Sequence, residues 1–145
     1  ELQRFLPYQL VVLADAVSRS IAQVYAERFD LSRDEWRVLA ALAKTGTMKS
    51  RDAALYATLD KMQVSRAVAG LERAGLLTRT IDPEDRRNRI LELTASGREL
   101  LRKLVPMVEA REAFLLEALA PEERAQLQSM IGRLTERAQQ LDRHG

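Results

Sequence analysis

The spacing at which apolar residues recur changes in the middle of the chain, and this change constrains the fold more than any other feature. From Lys61 to Ala74 apolar residues recur at helical spacing, and Gly75 ends the pattern. Residues 77–81 and 90–93 alternate instead, as short strands do, and a polar, turn-forming segment separates them. A helix followed directly by a hairpin predicts a mainly α-helical protein with a small β-hairpin.

Helical spacing predicts three helices before this segment. The first covers about residues 6–29, and the second begins after Ser32, which has a glutamate three residues later in the pattern of a capping box. We expect Gly46 to end the second helix as its C′ residue. A short third helix follows from Ser50, and Asp60 is expected to cap the fourth.

Two longer helices are predicted after the hairpin. Thr94 is expected to cap the first, which runs to about residue 119 and contains Pro106, and Pro121 starts the last. The last helix carries an apolar stripe of Leu127, Met130, Ile131, Leu134 and Leu141. Together with the first helix, these two offer more apolar surface than a small core can cover. We therefore expect a partner surface, with an intramolecular bundle as the alternative.

Composition excludes most covalent and metal chemistry. The 145 residues contain no cysteine, and the only histidine is His144. Disulfides, thiolate nucleophiles, a Ser-His-Asp triad and Cys- or His-ligated metal sites are therefore not expected, and we predict no catalytic residue, no metal and no cofactor. The longest apolar run, residues 10–14, is too short for a membrane span. We expect a soluble, cytoplasmic protein with no membrane partner.

Positive charge is concentrated in the middle of the chain. Residues 1–48 carry six basic and six acidic side chains, residues 49–103 carry twelve and eight, and residues 104–145 carry five and seven. The net charges are therefore 0, +4 and −2. A locally basic segment attracts a phosphate backbone, although an ordinary solvated surface has the same composition.

The helix that follows Asp60 has one apolar face and one polar face. On the polar face, we expect Gln63 to pair with an adenine edge and Arg66 to bind guanine bidentately. Ser65 is expected to meet a base or a phosphate, and Met62 a thymine methyl group. Arg73 lies on the same face, and the expected phosphate contacts at helix N-termini are Ser50, Arg51 and Lys61. A solvated helix face is the alternative interpretation.

Small residues on this helix are expected to affect how closely it can approach DNA. Ser65, Ala69 and Gly70 would let the helix lie deep in a DNA groove.

The order of the predicted elements also indicates a known motif. A short helix, a tight turn, a second capped helix and a hairpin form a helix-turn-helix with a wing.

The turn of the hairpin carries three arginines in four positions, Arg86, Arg87 and Arg89. Such a cluster repels itself unless an anion is present, and a narrow minor groove attracts inserted arginines. Asp85 is close enough to orient the guanidinium of Arg87. A salt-bridged surface turn is the alternative for Arg86 and Arg89 individually.

These segments resemble the MarR (multiple antibiotic resistance regulator) family. The resemblance rests on Leu59-Asp60-Lys61, Val64-Ser65-Arg66-Ala67-Val68, Leu71-Glu72-Arg73-Ala74-Gly75-Leu76-Leu77 and the wing signature Asp85-Arg86-Arg87-Asn88-Arg89, followed by Leu91, Leu93-Thr94 and Gly97. It implies a homodimeric regulator that binds a palindromic operator, in which Arg87 enters the minor groove and Asp85 supports it. The implied organisation is one domain, 1–145, with dimerisation helices at 1–30 and about 104–145 around a winged helix-turn-helix core at about 31–103.

The resemblance also implies that a small anion binds between the dimerisation helices and the winged helix. The candidate lining residues offer an aromatic wall and a guanidinium for a carboxylate: Tyr8, Ser18, Arg19, Trp36 and Arg37. A core position for Trp36, and dimer contacts for the residues of the first helix, are the alternatives.

The leading hypothesis is a sequence-specific, DNA-binding transcriptional regulator, a homodimeric repressor released by a small aromatic or phenolic ligand. A two-fold dimer would read a pseudo-palindrome with half-sites about 34 Å apart. The alternative is a winged-helix module that contacts an acidic protein partner and does not bind DNA specifically. An enzyme is the third class, but the chain lacks a glycine-rich phosphate loop.

Overall fold

The computed structural model describes residues 1–144, which contain six α-helices and three short strands. A single 3₁₀ turn, Leu2–Arg4, precedes the first helix. The helices are α1 (Leu6–Tyr25), α2 (Arg33–Leu42), α3 (Ser50–Ala57), α4 (Lys61–Arg73), α5 (Ala95–Leu116) and α6 (Pro121–His144). The strands are β1 (Thr47–Lys49), β2 (Leu77–Ile81) and β3 (Arg89–Leu93). The predicted mainly helical fold with a hairpin wing is confirmed.

The chain divides into two compact units, residues 1–108 and the residues from 109 onward. The first unit holds α1 to α4, the sheet and the first part of α5. The second holds the end of α5 and α6. No helix within residues 1–144 is long and apolar enough to cross a membrane.

Local capping signals define the starts of α2, α4 and α5. Ser32 Oγ accepts the Glu35 N–H at 3.1 Å, and Glu35 Oε1 accepts the Ser32 N–H at 2.9 Å, so the predicted capping box is present. Thr94 Oγ1 accepts the Gly97 N–H at 3.1 Å, which confirms it as the cap of α5. Asp60 caps α4 as predicted. Side chains within three residues therefore set the starts of these three helices.

The prediction that Gly46 ends α2 as its C′ residue is wrong. Helix α2 ends at Leu42, and residues 43–46 turn the chain so that Thr47 can enter a strand. Gly46 has a φ of +79°, and its amide donates to Leu42 O at 2.8 Å. Gly75, in contrast, follows α4 directly with a φ of +76°, as the sequence predicted.

The sheet has the order β1-β3-β2 and is antiparallel throughout. Leu91 lies opposite Met48 on one side and opposite Arg79 on the other. The sequence predicted β2 and β3 but missed β1, because three residues are too few to show an alternating pattern. Strand β1 pairs with β3 of the wing and leads directly into α3.

The core of the first unit lies between α2, α4, the sheet and the start of α5. Six of its leucines are 0–1% exposed: Leu39, Leu42, Leu71, Leu77, Leu91 and Leu104. Burial of one such side chain contributes about 1.5–3 kcal/mol. This core fixes the buried face of α4 and so determines which face remains exposed.

Both units expose large apolar side chains along their helices. In the first unit these include Leu6, Leu10 and Leu13 of α1, each about half exposed. In the second unit they include Met130, Ile131, Leu134 and Leu141 of α6. Helix α5 ends at Leu116, three residues before the predicted end, and Pro106 lies inside it as predicted.

Candidate nucleic-acid interface

Helix α4 buries one face and exposes cations on the other. Val64, Ala67, Val68 and Leu71 are buried as predicted. Lys61, Ser65, Arg66 and Arg73 are exposed, and the side chain of Met62 is 69% exposed. Within residues 1–144, Arg66 and Arg73 form no ion pair, so their guanidinium groups are available to an external anion.

Gln63 is used inside the protein rather than left free on this face. Its backbone N–H donates to Asp60 Oδ1 at 2.8 Å, and its side-chain Oε1 accepts the Asp60 backbone N–H at 2.9 Å. The pair forms a second capping box, which the sequence reasoning did not identify. The predicted contact of Gln63 with adenine would compete with this bond for the same oxygen.

Gly70 does not face the exposed side of α4, so its predicted role in groove depth is wrong. A Cβ built on Gly70 would overlap with Oε2 of Glu35 on α2. The absence of a side chain therefore allows α2 and α4 to approach closely. Ala69 is half buried, and of the three small residues only Ser65 is exposed.

At the tip of the wing, Asp85 bonds to the backbone and to the guanidinium of Arg87. Asp85 Oδ1 accepts the Arg87 backbone N–H at 3.1 Å and the Arg87 Nε–H at 3.2 Å. These two bonds, the backbone one first, hold the pKa of the Asp85 carboxyl below its usual range. The Arg87 side chain is 90% exposed. The tip therefore presents an oriented guanidinium to the solvent.

The three arginines of the wing do not form one cluster. Arg86 is exposed beside Arg87, but Arg89 is the first residue of β3 and is half buried. Its Nη1 donates to the backbone oxygens of Arg86 at 3.0 Å and Asn88 at 3.1 Å. Arg89 thus stabilises the turn that carries Arg86 and Arg87.

Ser50 and Arg51 lie at the start of α3, where the sequence placed phosphate contacts. The Ser50 hydroxyl donates to Asn88 Oδ1 and accepts the Arg89 N–H at 3.1 Å, so it bonds to the wing. The Arg51 side chain is exposed. Asn88 was not identified as functional, although a lone asparagine in a charged turn was a signal that could have been followed.

Lys49, at the end of β1, forms an ion pair with the base of the wing. Its Nζ lies 3.4 Å from Asp82 Oδ2 and 3.5 Å from Glu84 Oε2. The bond to Asp82 is the main cause that raises the pKa of Lys49. The Glu84 backbone N–H, which donates to Asp82 Oδ1 at 2.9 Å, is the main cause that lowers the pKa of Asp82.

The structure does not bring the five predicted ligand-binding residues together in one chain. Trp36 is half buried and stacks on Tyr25 with ring centroids 5.9 Å apart. Tyr8 precedes Tyr25 by 17 residues on the same helix, which separates them by about 25 Å along the axis. A pocket within one chain therefore cannot hold both Tyr8 and Trp36.

The other predicted ligand-binding residues have separate surroundings. Arg19 pairs with Asp15 at 3.1 Å and, like Ser18, is exposed on α1. The Nη1 of Arg37 donates to Thr58 Oγ1 at 3.3 Å. The expected grouping therefore does not form within the first unit.

A surface groove of about 340 Å³ occurs elsewhere in the first unit. It has three cationic side chains, Lys44, Arg98 and Arg102, and an apolar wall that includes Leu93, Leu101 and Val105. The sequence did not predict this groove, because it is formed by the turn after α2, the end of β3 and α5, which are far apart in the chain.

Comparisons with known proteins agree on one family. The MarR family model matches residues 29–88. The HTH-type transcriptional regulator YdcH of Bacillus subtilis (strain 168), itself uncharacterised, is 30% identical over 109 residues, which cover 72% of this chain and 74% of YdcH. A MarR/EmrR family transcriptional regulator from Acinetobacter sp. ADP1 is 26% identical, with a TM-score of 0.85, over 97% of this chain and 99% of its own.

A third relative was solved with a bound ligand. NadR in complex with 4-hydroxyphenylacetate is 25% identical, with a TM-score of 0.77, over 89% of this chain and 91% of its own. YdcH and the Acinetobacter protein are transcriptional regulators, a class of proteins that are not enzymes. The chain belongs to the MarR family of winged-helix, DNA-binding transcriptional regulators.

Proposed function

We propose that the protein is a homodimeric repressor that binds a pseudo-palindromic operator and is released by a small aromatic acid. The observation that carries the DNA contact is the wing tip, where Asp85 orients the 90% exposed Arg87. An exposed, oriented guanidinium at the end of a hairpin suits the negative potential of a narrow minor groove.

Helix α4 supplies the major-groove contacts in this proposal. Arg66 and Arg73 are free of ion pairs within the described residues and lie on the exposed face. The proposed direct contacts are Arg51, Lys61, Met62, Ser65, Arg66, Arg73, Arg86 and Arg87. The remaining predicted residues are proposed to hold this surface in place through internal hydrogen bonds: Ser50, Gln63, Asp85 and Arg89. The core 31–103 thus forms the DNA-binding part of one domain, 1–145.

The exposed apolar residues of the terminal helices support a dimer. Monomeric proteins rarely expose long contiguous apolar stripes, whereas obligate dimers bury about 2,000 Å² or more. The proposed dimerisation segments, 1–30 and about 104–145, carry such residues on α1 and α6. A two-fold axis would place two copies of α4 about one DNA turn, roughly 34 Å, apart.

The class of effector is proposed from the ligand of NadR, and two places in this chain are candidates for its binding site. Trp36 and Arg37 offer an aromatic ring and a guanidinium on α2, and in the dimer Tyr8, Ser18 and Arg19 are proposed to complete their site. The surface groove offers Arg98 and Arg102 instead. Ligand binding would favour a dimer in which the two α4 helices are wrongly spaced for the operator.

Fluorescence anisotropy on the DNA upstream of the protein's own gene tests the repressor. Specific binding predicts tight, salt-dependent binding to this duplex and weak binding to a scrambled one. Arg87→Ala should weaken specific binding by about 1–3 kcal/mol, whereas the exposed control Arg137→Ala on α6 should not. Equal, weak binding to both duplexes would favour the protein-interaction module.

Fluorescence of the single tryptophan, Trp36, tests the effector class and the location of its binding site. We expect 4-hydroxyphenylacetate, benzoate or nicotinate to release the operator and to quench Trp36 fluorescence. If Arg37→Ala abolishes release from the operator by the acid and Arg98→Ala does not, the carboxylate binds at α2. If Arg98→Ala abolishes release and Arg37→Ala does not, the carboxylate binds in the groove. Operator binding relieved by no acid would refute the proposed effector class and leave the DNA contact intact.

A further inference from the structure

Helix α3 begins without a cap from its own neighbours in sequence. Its N-cap residue is Lys49, a side chain that has no hydrogen-bond acceptor. The first N–H groups of a helix need an acceptor from outside the helix. Here the acceptor comes from the wing, because Asn88 Oδ1 accepts the Arg51 N–H at 3.2 Å.

The same oxygen of Asn88 joins α3 to β3. It accepts the Ser50 hydroxyl and the Arg89 N–H, the latter at 3.0 Å, while Ser50 Oγ also accepts the Arg89 N–H. Asn88 is only 6% exposed. Loss of its side chain would leave the Arg51 N–H and the Ser50 hydroxyl without this acceptor, whereas the Arg89 N–H would keep Ser50 Oγ.

A second link holds the other end of the wing's turn. Asp82 is 1% exposed, and it pairs with Lys49 next to the start of α3. The Asp82 N–H donates to Asn88 O at 3.3 Å, which closes the base of the turn. Both ends of the segment that carries Arg87 are therefore bonded to residues 49–51.

We propose that Asn88 is a positioning residue that holds the wing and α3 in one arrangement, so that Arg87 and the start of α3 contact the same duplex. The proposal rests on the proposed function, because it takes Arg87 as a DNA contact. The operator duplex sets the separation between its minor groove and the neighbouring phosphates. A wing that is already ordered binds them without the loss of freedom that a loose wing would undergo.

Amide hydrogen exchange in the free protein tests the link without DNA. Asn88→Ala should accelerate exchange at the Arg51 amide by about tenfold or more, because this amide loses its acceptor, and should accelerate it less at the Arg89 amide, which still donates to Ser50 Oγ. Asn88→Asp keeps an acceptor oxygen and should retain slow exchange. Gln128→Ala, which removes an exposed amide on α6, should change neither rate.

A double-mutant cycle with Arg87 tests the function of the link. Operator affinity is measured for the wild type, Asn88→Ala, Arg87→Ala and the double variant. If Asn88 acts through the wing, Arg87→Ala should weaken binding about tenfold or more alone but less than about threefold in the Asn88→Ala background. A merely structural role would change the affinity by a constant factor and leave the effect of Arg87→Ala unaltered.

The outcomes separate this proposal from the function on which it rests. Unchanged exchange in Asn88→Ala, or losses that multiply independently in the double variant, would overturn the positioning role. If Arg87→Ala alone has no effect, the proposed wing contact is wrong. In that case the cycle is repeated with Arg51→Ala, at the proposed contact that starts α3: losses that fail to multiply would still support Asn88, and losses that multiply independently would overturn its positioning role.

Discussion

Gly70 gives the sharpest prediction about packing, because two effects of known size oppose each other there. Alanine in place of glycine inside a helix contributes about 1 kcal/mol of stability. The new Cβ would meet Glu35 Oε2, so the Glu35 carboxylate must turn away. Its Oε1 now accepts the Ser32 N–H at 2.9 Å, and loss of this hydrogen bond costs about 1 kcal/mol. Gly70→Ala should therefore change the free energy of unfolding by less than about 0.5 kcal/mol.

The same substitution should behave differently once Glu35 is gone. In a Glu35→Ala background the carboxylate is absent, so Gly70→Ala should stabilise the protein by about 1 kcal/mol. Urea unfolding of the four proteins at one fixed protein concentration measures both values. Gly132→Ala on α6 is a matched control, because its Cβ would meet no atom within 4 Å and should stabilise equally in both backgrounds.

An equal effect of Gly70→Ala in the two backgrounds would refute the contact with Glu35. The substitution also tests the earlier expectation about groove depth. Because Gly70 faces α2, Gly70→Ala should leave operator affinity unchanged. A large loss of affinity with unchanged stability would show instead that this position faces DNA.

Three further predictions follow from single contacts. Gly97→Ala should destabilise the protein by about 2 kcal/mol or more in urea unfolding, because its Cβ would overlap with the backbone oxygen of Leu76, which cannot rotate away. The pKa of Asp82 lies below the ordinary 3.8, chiefly through the Glu84 N–H, so the stability from its carboxylate is present above pH 3.8 and is lost as the pH falls through the lower folded-state pKa. The difference in unfolding free energy between the wild type and Asp82→Asn should accordingly shrink below about pH 4, and a constant difference would contradict this. Ile131→Glu should weaken the proposed dimer by about 2 kcal/mol or more in sedimentation, whereas an unchanged dimer would exclude the α6 stripe from the interface.

The sequence predicted those features whose interacting groups are close together in the chain. Ser32 caps its helix with a partner three residues away, and Gly75 ends α4 through its own φ. Strand β1 was missed because its signal lies in its partner, as Thr47 pairs with Glu92 across the fold. The bond from Asn88 to Ser50 likewise joins residues 38 positions apart. Polarity and spacing cannot identify such contacts, since they depend on the tertiary fold.

The same limit explains which predicted DNA contacts remain free. Residue type and place on a predicted element assigned Gln63, Ser50 and Arg89 to DNA, yet the structure uses a polar group of each side chain in an internal hydrogen bond. Redirecting such a group to DNA would first break a bond worth about 0.5–1.5 kcal/mol, and more if a buried donor loses its partner. Arg66 has no internal partner within residues 1–144, and the Arg87 side chain is 90% exposed although its guanidinium Nε–H bonds to Asp85. Operator recognition should therefore depend mainly on these free or oriented cations, and the internally bonded residues should act by keeping α3, α4 and the wing in place.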